Sequence, residues 1–138
     1  MKLLRIFSFL LIATITLTTS SCGKAQLDQL EATWEYINFD DLENKQYIYT
    51  WIFNAGEITV NRYDLTAQFP VPEPVNSGFY NTNTGFTNAS IEIYDLADDR
   101  QNVIFEATWE IADIGDNVLR LDTKDIGGHV IREFKRFE

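Results

Sequence analysis

The sequence predicts an all-β fold, a single eight-stranded antiparallel up-and-down β-barrel placed after an N-terminal signal peptide. Three observations carry this. Beyond residue 29 the chain reads as short alternating apolar and polar runs, spaced about 8–18 residues apart. Turn-forming residues separate most of these runs. No segment holds a helical apolar period, while Phe, Tyr, Ile, Val and Thr, which suit a pleated half-buried surface, are abundant.

The first element is not part of the fold. Lys2 and Arg5 precede an apolar run from Ile6 to Leu17, broken only by Ser8, Thr14 and Thr16, and Thr18-Thr19-Ser20-Ser21 is small and uncharged. A helix of that length spans about 18 Å, short of the roughly 30 Å of a bilayer core. The segment therefore reads as an export signal over residues 1–21. Cys22 is the only cysteine of the chain and cannot close an internal disulfide. Ser20-Ser21-Cys22 resembles a lipobox, in which the thiol accepts a diacylglycerol and becomes the new N-terminus. The alternative is a plain secretory signal followed by an incidental thiol. The resemblance implies lipid attachment at Cys22, a lipidated tether over residues 22–29 and a membrane as partner through the anchor. It also implies a place in the cell envelope. Gly23-Lys24-Ala25-Gln26 lacks an acidic cluster, which favours an outer-membrane lipoprotein facing the periplasm.

The domain then covers residues 30–138. Leu27-Asp28-Gln29-Leu30 has room for one helical turn. Eight strand-like runs follow: Leu30–Asn38, Gln46–Asn54, Glu57–Leu65, Gly78–Thr82, Thr87–Asp95, Asn102–Ala112, Asn117–Thr123 and His129–Phe137. Val103, Phe105, Ala107, Trp109 and Ile111 share one face of the sixth run, and Leu119 and Leu121 oppose Arg120 and Asp122 in the seventh. In the second run Tyr47, Tyr49, Trp51 and Phe53 oppose Ile48 and Ile52. The aromatic face is assigned inward, although a slip of one residue would swap the two. Glu-Ala-Thr-Trp-Glu occurs at Glu31–Glu35 and again at Glu106–Glu110, with nothing matching around the two copies.

Asn54-Ala55-Gly56, Asn83-Thr84-Gly85 and Asp113-Ile114-Gly115-Asp116 place glycine where tight hairpins need positive φ. Thr66–Ser77 contains Pro70, Pro72 and Pro74, which hold it extended and remove donors, so it is expected to be a stiff loop rather than a strand. In a meander the longer connections, Phe39–Lys45, Thr66–Ser77, Leu96–Gln101 and Lys124–Gly128, gather at one end and the tight turns at the other. The mouth then carries Asp40, Asp41, Glu43, Glu73, Asp98, Asp99 and Asp125 against Lys45, Arg100 and Lys124. That balance favours neutral or cationic ligands over anions.

Composition excludes several functions. Removing residues 1–21 takes away two bases and no acid, leaving 9 basic and 21 acidic side chains. Such a surface does not suit nucleic acid. One histidine, His129, makes neither a zinc site nor a triad. Asp95, Asp98 and Asp99, or Asp113 and Asp116, do not have the spacing of a calcium loop. No catalytic, metal or cofactor residues are assigned, and a non-enzymatic role is expected. A transmembrane barrel is excluded by outward Glu31, Glu35, Asn61, Glu92, Glu106, Glu110, Arg120 and Asp122.

Leu30-Glu31-Ala32-Thr33-Trp34, Trp51-Ile52-Phe53-Asn54-Ala55-Gly56, Gly78-Phe79-Tyr80 and Glu133-Phe134-Lys135-Arg136 resemble the lipocalin-like (calycin-type) domains of bacterial lipoproteins. The resemblance implies a small apolar ligand inside the barrel, against the inward aromatics Tyr49, Trp51, Tyr80, Phe105 and Trp109. The alternative is a structural or accessory lipoprotein with a filled barrel, docked on another envelope protein. Closure should pair the first and last strands and bring Arg136 over Trp34. Arg132 is the second candidate, seated deeper and able to meet a ligand.

Overall fold

The structure, a computed structural model, describes residues 27–37, 45–85, 88–97, 104–125 and 128–138. Cys22 and the signal segment lie outside them. One helical turn at residues 27–30 leads into β1 (Thr33–Ile37), β2 (Tyr47–Asn54), β3 (Glu57–Asp64) and β4 (Glu73–Thr84). Then come β5 (Ala89–Tyr94), β6 (Ala107–Ile114), β7 (Val118–Asp125) and β8 (Gly128–Arg136). Each strand pairs antiparallel with the next, and β1 pairs with β8, so the sheet closes into an up-and-down barrel. Closure leaves no row of unpaired backbone groups along a sheet edge.

Alternation decides which residues fill the interior. Trp34, Trp51, Phe53, Ile58, Val60, Ile91, Ile93, Trp109, Leu119, Leu121 and Phe134 point inward and are almost wholly buried. The aromatic face of β2 is the inner one, with Trp51 opposite Trp34 and Val60. Burying one large apolar side chain contributes about 1.5–3 kcal/mol, so this set dominates stability.

Three expectations are corrected. The proline stretch is not all loop: β4 begins at Glu73 and includes Pro74, extending well ahead of the expected Gly78–Thr82. Pro74 sits next to the strand start, beside a register shift at Val60/Asn61, where the ladder can dispense with one N–H. The sixth run starts later than expected, at Ala107. A bulge between Ile111 and Asp113 then lets both Ile111 and Ile114 pack on the core. Finally, β7 runs to Asp125 and β8 begins at Gly128, the two residues paired, so the strands reach closer together than the expected Lys124–Gly128 connection.

Most of one outward row is buried too. Lys135, Glu35, Thr50 and Asn61 stand directly opposite one another across β8, β1, β2 and β3. Glu35 is 4% exposed and Thr50 is fully buried. Lys45 Nζ lies 2.7 Å and Lys135 Nζ 3.1 Å from the Glu35 carboxylate. Burial pushes the Glu35 carboxyl up, but hydrogen bonds from Lys45 and Lys135 outweigh it and hold the group below its ordinary value.

Candidate functional site

The barrel is closed at its tight-turn end. Leu30, on the helical turn, is fully buried there, and its carbonyl accepts the Trp34 indole N–H at 3.0 Å. Trp34 is opposite Arg136 in the β1–β8 ladder. The Arg136 guanidinium lies 5.2 Å from the Trp34 ring centre and donates to the Asp116 carbonyl at 3.3 Å. Tyr80, expected to line a ligand site, packs edge-on against Phe53 at 5.2 Å and belongs to this filled half.

The long-loop end is different. Tyr36, Tyr47, Tyr49, Arg62, Val130 and Arg132 lie on the inward side of their strands, yet all are only half-buried. Solvent therefore reaches the inner wall here, and this half-buried stretch of inner wall is called the cup below. Tyr49 is opposite Arg62, and Tyr36 opposite Phe134. Arg132 donates to the Tyr36 hydroxyl at 2.8 Å and stands 5.2 Å from that ring centre. Arg62 lies 4.9 Å from the Tyr47 ring centre and donates to the Glu73 carboxylate at 2.6 Å. The Glu73 hydrogen bond outweighs desolvation and raises the Arg62 guanidinium still further above its ordinary value. Leu96, Phe105 and Val130 add apolar surface packed against the core.

The floor of the cup is aromatic. Trp51 packs 4.8 Å from Phe134 and edge-on to Trp109 at 6.1 Å, and Phe105 lies 4.9 Å from Trp109. Both floor indoles are fully buried. Neither Trp51 Nε1 nor Trp109 Nε1 has an acceptor among the described residues. An unsatisfied buried donor costs about 1–3 kcal/mol, so two in adjoining rings are an anomaly of the interior.

Of the five aromatics proposed from sequence, Tyr49, Trp51, Phe105 and Trp109 thus meet at the cup or its floor, and Tyr80 does not. Arg62, Tyr36 and Tyr47 were not singled out as site residues. Arg62 shares the parity of Ile58 and Val60, and that was the available signal. The acid-rich mouth is described only in part. Glu73 is paired with Arg62 and Lys45 with Glu35. Asp40, Asp41, Glu43, Asp98, Asp99 and Arg100 lie outside the described residues, as does the Asp125 side chain.

No other described cluster shows comparable chemistry. A groove of about 790 Å³ on the outer face of β5–β8 is lined by Ser90, Glu106, Thr108, Glu110, Asp122 and His129, among others. His129 is exposed and its Nδ1 lies 3.1 Å from Asp122. No group of metal-ligating side chains occurs among the described residues. In comparison with known proteins, the chain matches no protein family, no curated protein and no solved structure.

Proposed function

We propose that this protein is a lipid-anchored envelope lipoprotein of lipocalin-like type, non-enzymatic, that holds a small, largely apolar ligand in the cup. The observation that supports it best is the row of inward yet half-buried residues at one end, Tyr36, Tyr47, Tyr49, Arg62 and Arg132. Packed interiors leave inward side chains dry, as they do Trp34, Phe53 and Ile58 toward the opposite end. Two guanidiniums on the inner wall weigh against a cationic ligand, and acids at the rim weigh against an anionic one. A neutral ligand satisfies both. The anchor at Cys22 would lie at the tight-turn end, because β1 starts there, so the cup would open away from the membrane.

Native mass spectrometry of the full chain purified from its own host tests this reading, with titration by the neutral fluorophore N-phenyl-1-naphthylamine. One bound molecule per chain, with affinity reduced at least tenfold by Tyr49→Ala, is the expected result. A protein that carries nothing and takes up no fluorophore would overturn it. The second reading, an accessory module with a filled barrel, is favoured by the extent of full burial below the cup. It predicts co-purification with one envelope protein instead. Substituting Cys22→Ala should release either form from the membrane fraction; retention after normal cleavage would place the anchor elsewhere.

A further inference from the structure

Resting on the cup reading, we propose that the ligand is a neutral, flat carbonyl compound, an aryl or conjugated ketone or quinone, whose oxygen accepts hydrogen bonds from the Trp51 and Trp109 indoles. The three tryptophans of the chain make the case by contrast. All three are fully buried inside one barrel. Trp34 gives its N–H to the Leu30 carbonyl at 3.0 Å. Trp51 and Trp109, whose ring centres are 6.1 Å apart, give theirs to no described acceptor. The contrast is sharpest between Trp34 and Trp109, which occupy the same place in the two Glu-Ala-Thr-Trp-Glu copies.

Both nitrogens are closed off from solvent and have no acceptor among the described residues. What relieves them is a molecule that moves a neighbouring ring aside and brings its own acceptor. Phe105 is the ring to move. It lies 4.9 Å from Trp109, is half-buried and precedes β6, so the strand ladder does not hold it.

The donor set fixes the ligand's inner end. Indole N–H groups only donate, so that end must accept. A carbonyl oxygen has two lone pairs and can receive both. A carboxylate at this depth would bury a full charge against two neutral donors among aromatic rings, which does not compensate its lost hydration. A flat π-system suits the space among Trp51, Phe105, Trp109 and Phe134, where ring pairs are tilted or edge-on.

The test uses matched probe pairs of increasing size: 1-indanone against indane, and fluorenone against fluorene. Each is titrated into the full chain and followed by tryptophan fluorescence. The ketone of at least one pair should bind tenfold or more tightly than its hydrocarbon, a difference of about 1.4 kcal/mol. Trp51→Phe and Trp109→Phe keep a ring and remove the donor. Each should cut the ketone's advantage over its own hydrocarbon, read as the ratio of the two affinities measured in the same variant. The carbonyl stretch of the bound ketone should also move to lower frequency in the unaltered protein, a readout that stands even where a variant fails to fold.

Equal affinity for ketone and hydrocarbon, with an unshifted stretch, would overturn the inference and leave the cup intact. The indole donors would then be spent on neighbouring ring faces. No binding in either pair would overturn the cup reading, and this inference with it.

Discussion

At the tight-turn end an indole, a guanidinium and a main-chain carbonyl meet and complete one another. Trp34 donates to Leu30, and Arg136 covers the Trp34 ring while bonding the Asp116 carbonyl. At the long-loop end the same groups recur without that closure. Arg132 and Arg62 stand over tyrosines that remain partly exposed, and two indoles below them have no acceptor among the described residues. The difference teaches where stability and function divide in a barrel of one layer. The end tied by the helical turn and by chain closure can afford full packing. The other end leaves inward polar side chains open to solvent.

The largest expected effect comes from the closed end. Trp34→Ala removes a fully buried ring and should cost about 3–5 kcal/mol in denaturant unfolding. Tyr49→Ala in the cup should cost far less, because the ring is only half-buried. Equal losses from the two would erase the distinction between the ends.

Next in size is Glu35, buried on the outer wall within the β1–β8 seam. Its folded value lies below its ordinary value of 4.5, with burial opposed and outweighed by Lys45 and Lys135. The stability it contributes is therefore fully present above that ordinary value. It is lost as pH falls through the lower, folded value. Glu35→Gln should cost about 1–3 kcal/mol at neutral pH. It should also flatten the acid limb of a stability-against-pH curve; an unchanged acid limb would remove Glu35 from the account.

A double-mutant cycle between Trp34→Leu and Arg136→Gln sharpens the comparison further. A guanidinium over an indole contributes about 0.5–1 kcal/mol when exposed and about 2 when desolvated. With Arg136 half-buried, a coupling near 1 kcal/mol is expected. Zero coupling would mean that the ladder alone closes the seam.

Much of this was legible in the sequence, for reasons that differ by element. Period-two alternation exposed β2, β6 and β7, because one face of each is buried and the other is not. The β1–β8 pairing followed from strand count. Alternation misplaced the start of β6, because Phe105 packs on the core in step with Ala107 and Trp109 although the ladder begins only at Ala107. Proline misled at β4, since Pro74 is tolerated beside a register shift that the sequence does not mark. Arg62 was missed for a related reason: a charged residue at an inward position reads as surface until the barrel mouth is known to lie there.

The mouth loop gives a smaller effect. Phe69 and Val71 are 77% and 70% exposed, so they contribute no core. Replacing residues 67–71 by two glycines should change stability by no more than about 1 kcal/mol, since closure entropy varies slowly with loop length. A change in ligand affinity without a change in stability would assign the loop to the cup.

The smallest effect returns to the closed end, where one turn is not at its optimum. Asn54 pairs with Glu57, so Ala55 and Gly56 are the whole connection between β2 and β3. Both have positive φ, 49° at Ala55 and 86° at Gly56. Two positive values in a two-residue hairpin loop mark the turn whose twist matches the strands, and that turn prefers Asn-Gly. Gly56 fits freely, while the Cβ of Ala55 crowds its own backbone in this region. The turn persists because its neighbours determine it: the Ala55 N–H donates to Glu31 at 3.3 Å, and Phe53 N–H to the Ala32 carbonyl at 3.1 Å. Asn tolerates the left-handed region, so Ala55→Asn should raise stability by about 0.5 kcal/mol. It should leave binding in the cup unchanged, because the turn lies at the other end of the barrel. A loss of stability would show that strain at Ala55 is not what limits the turn, and a changed affinity would show that the two ends are not independent.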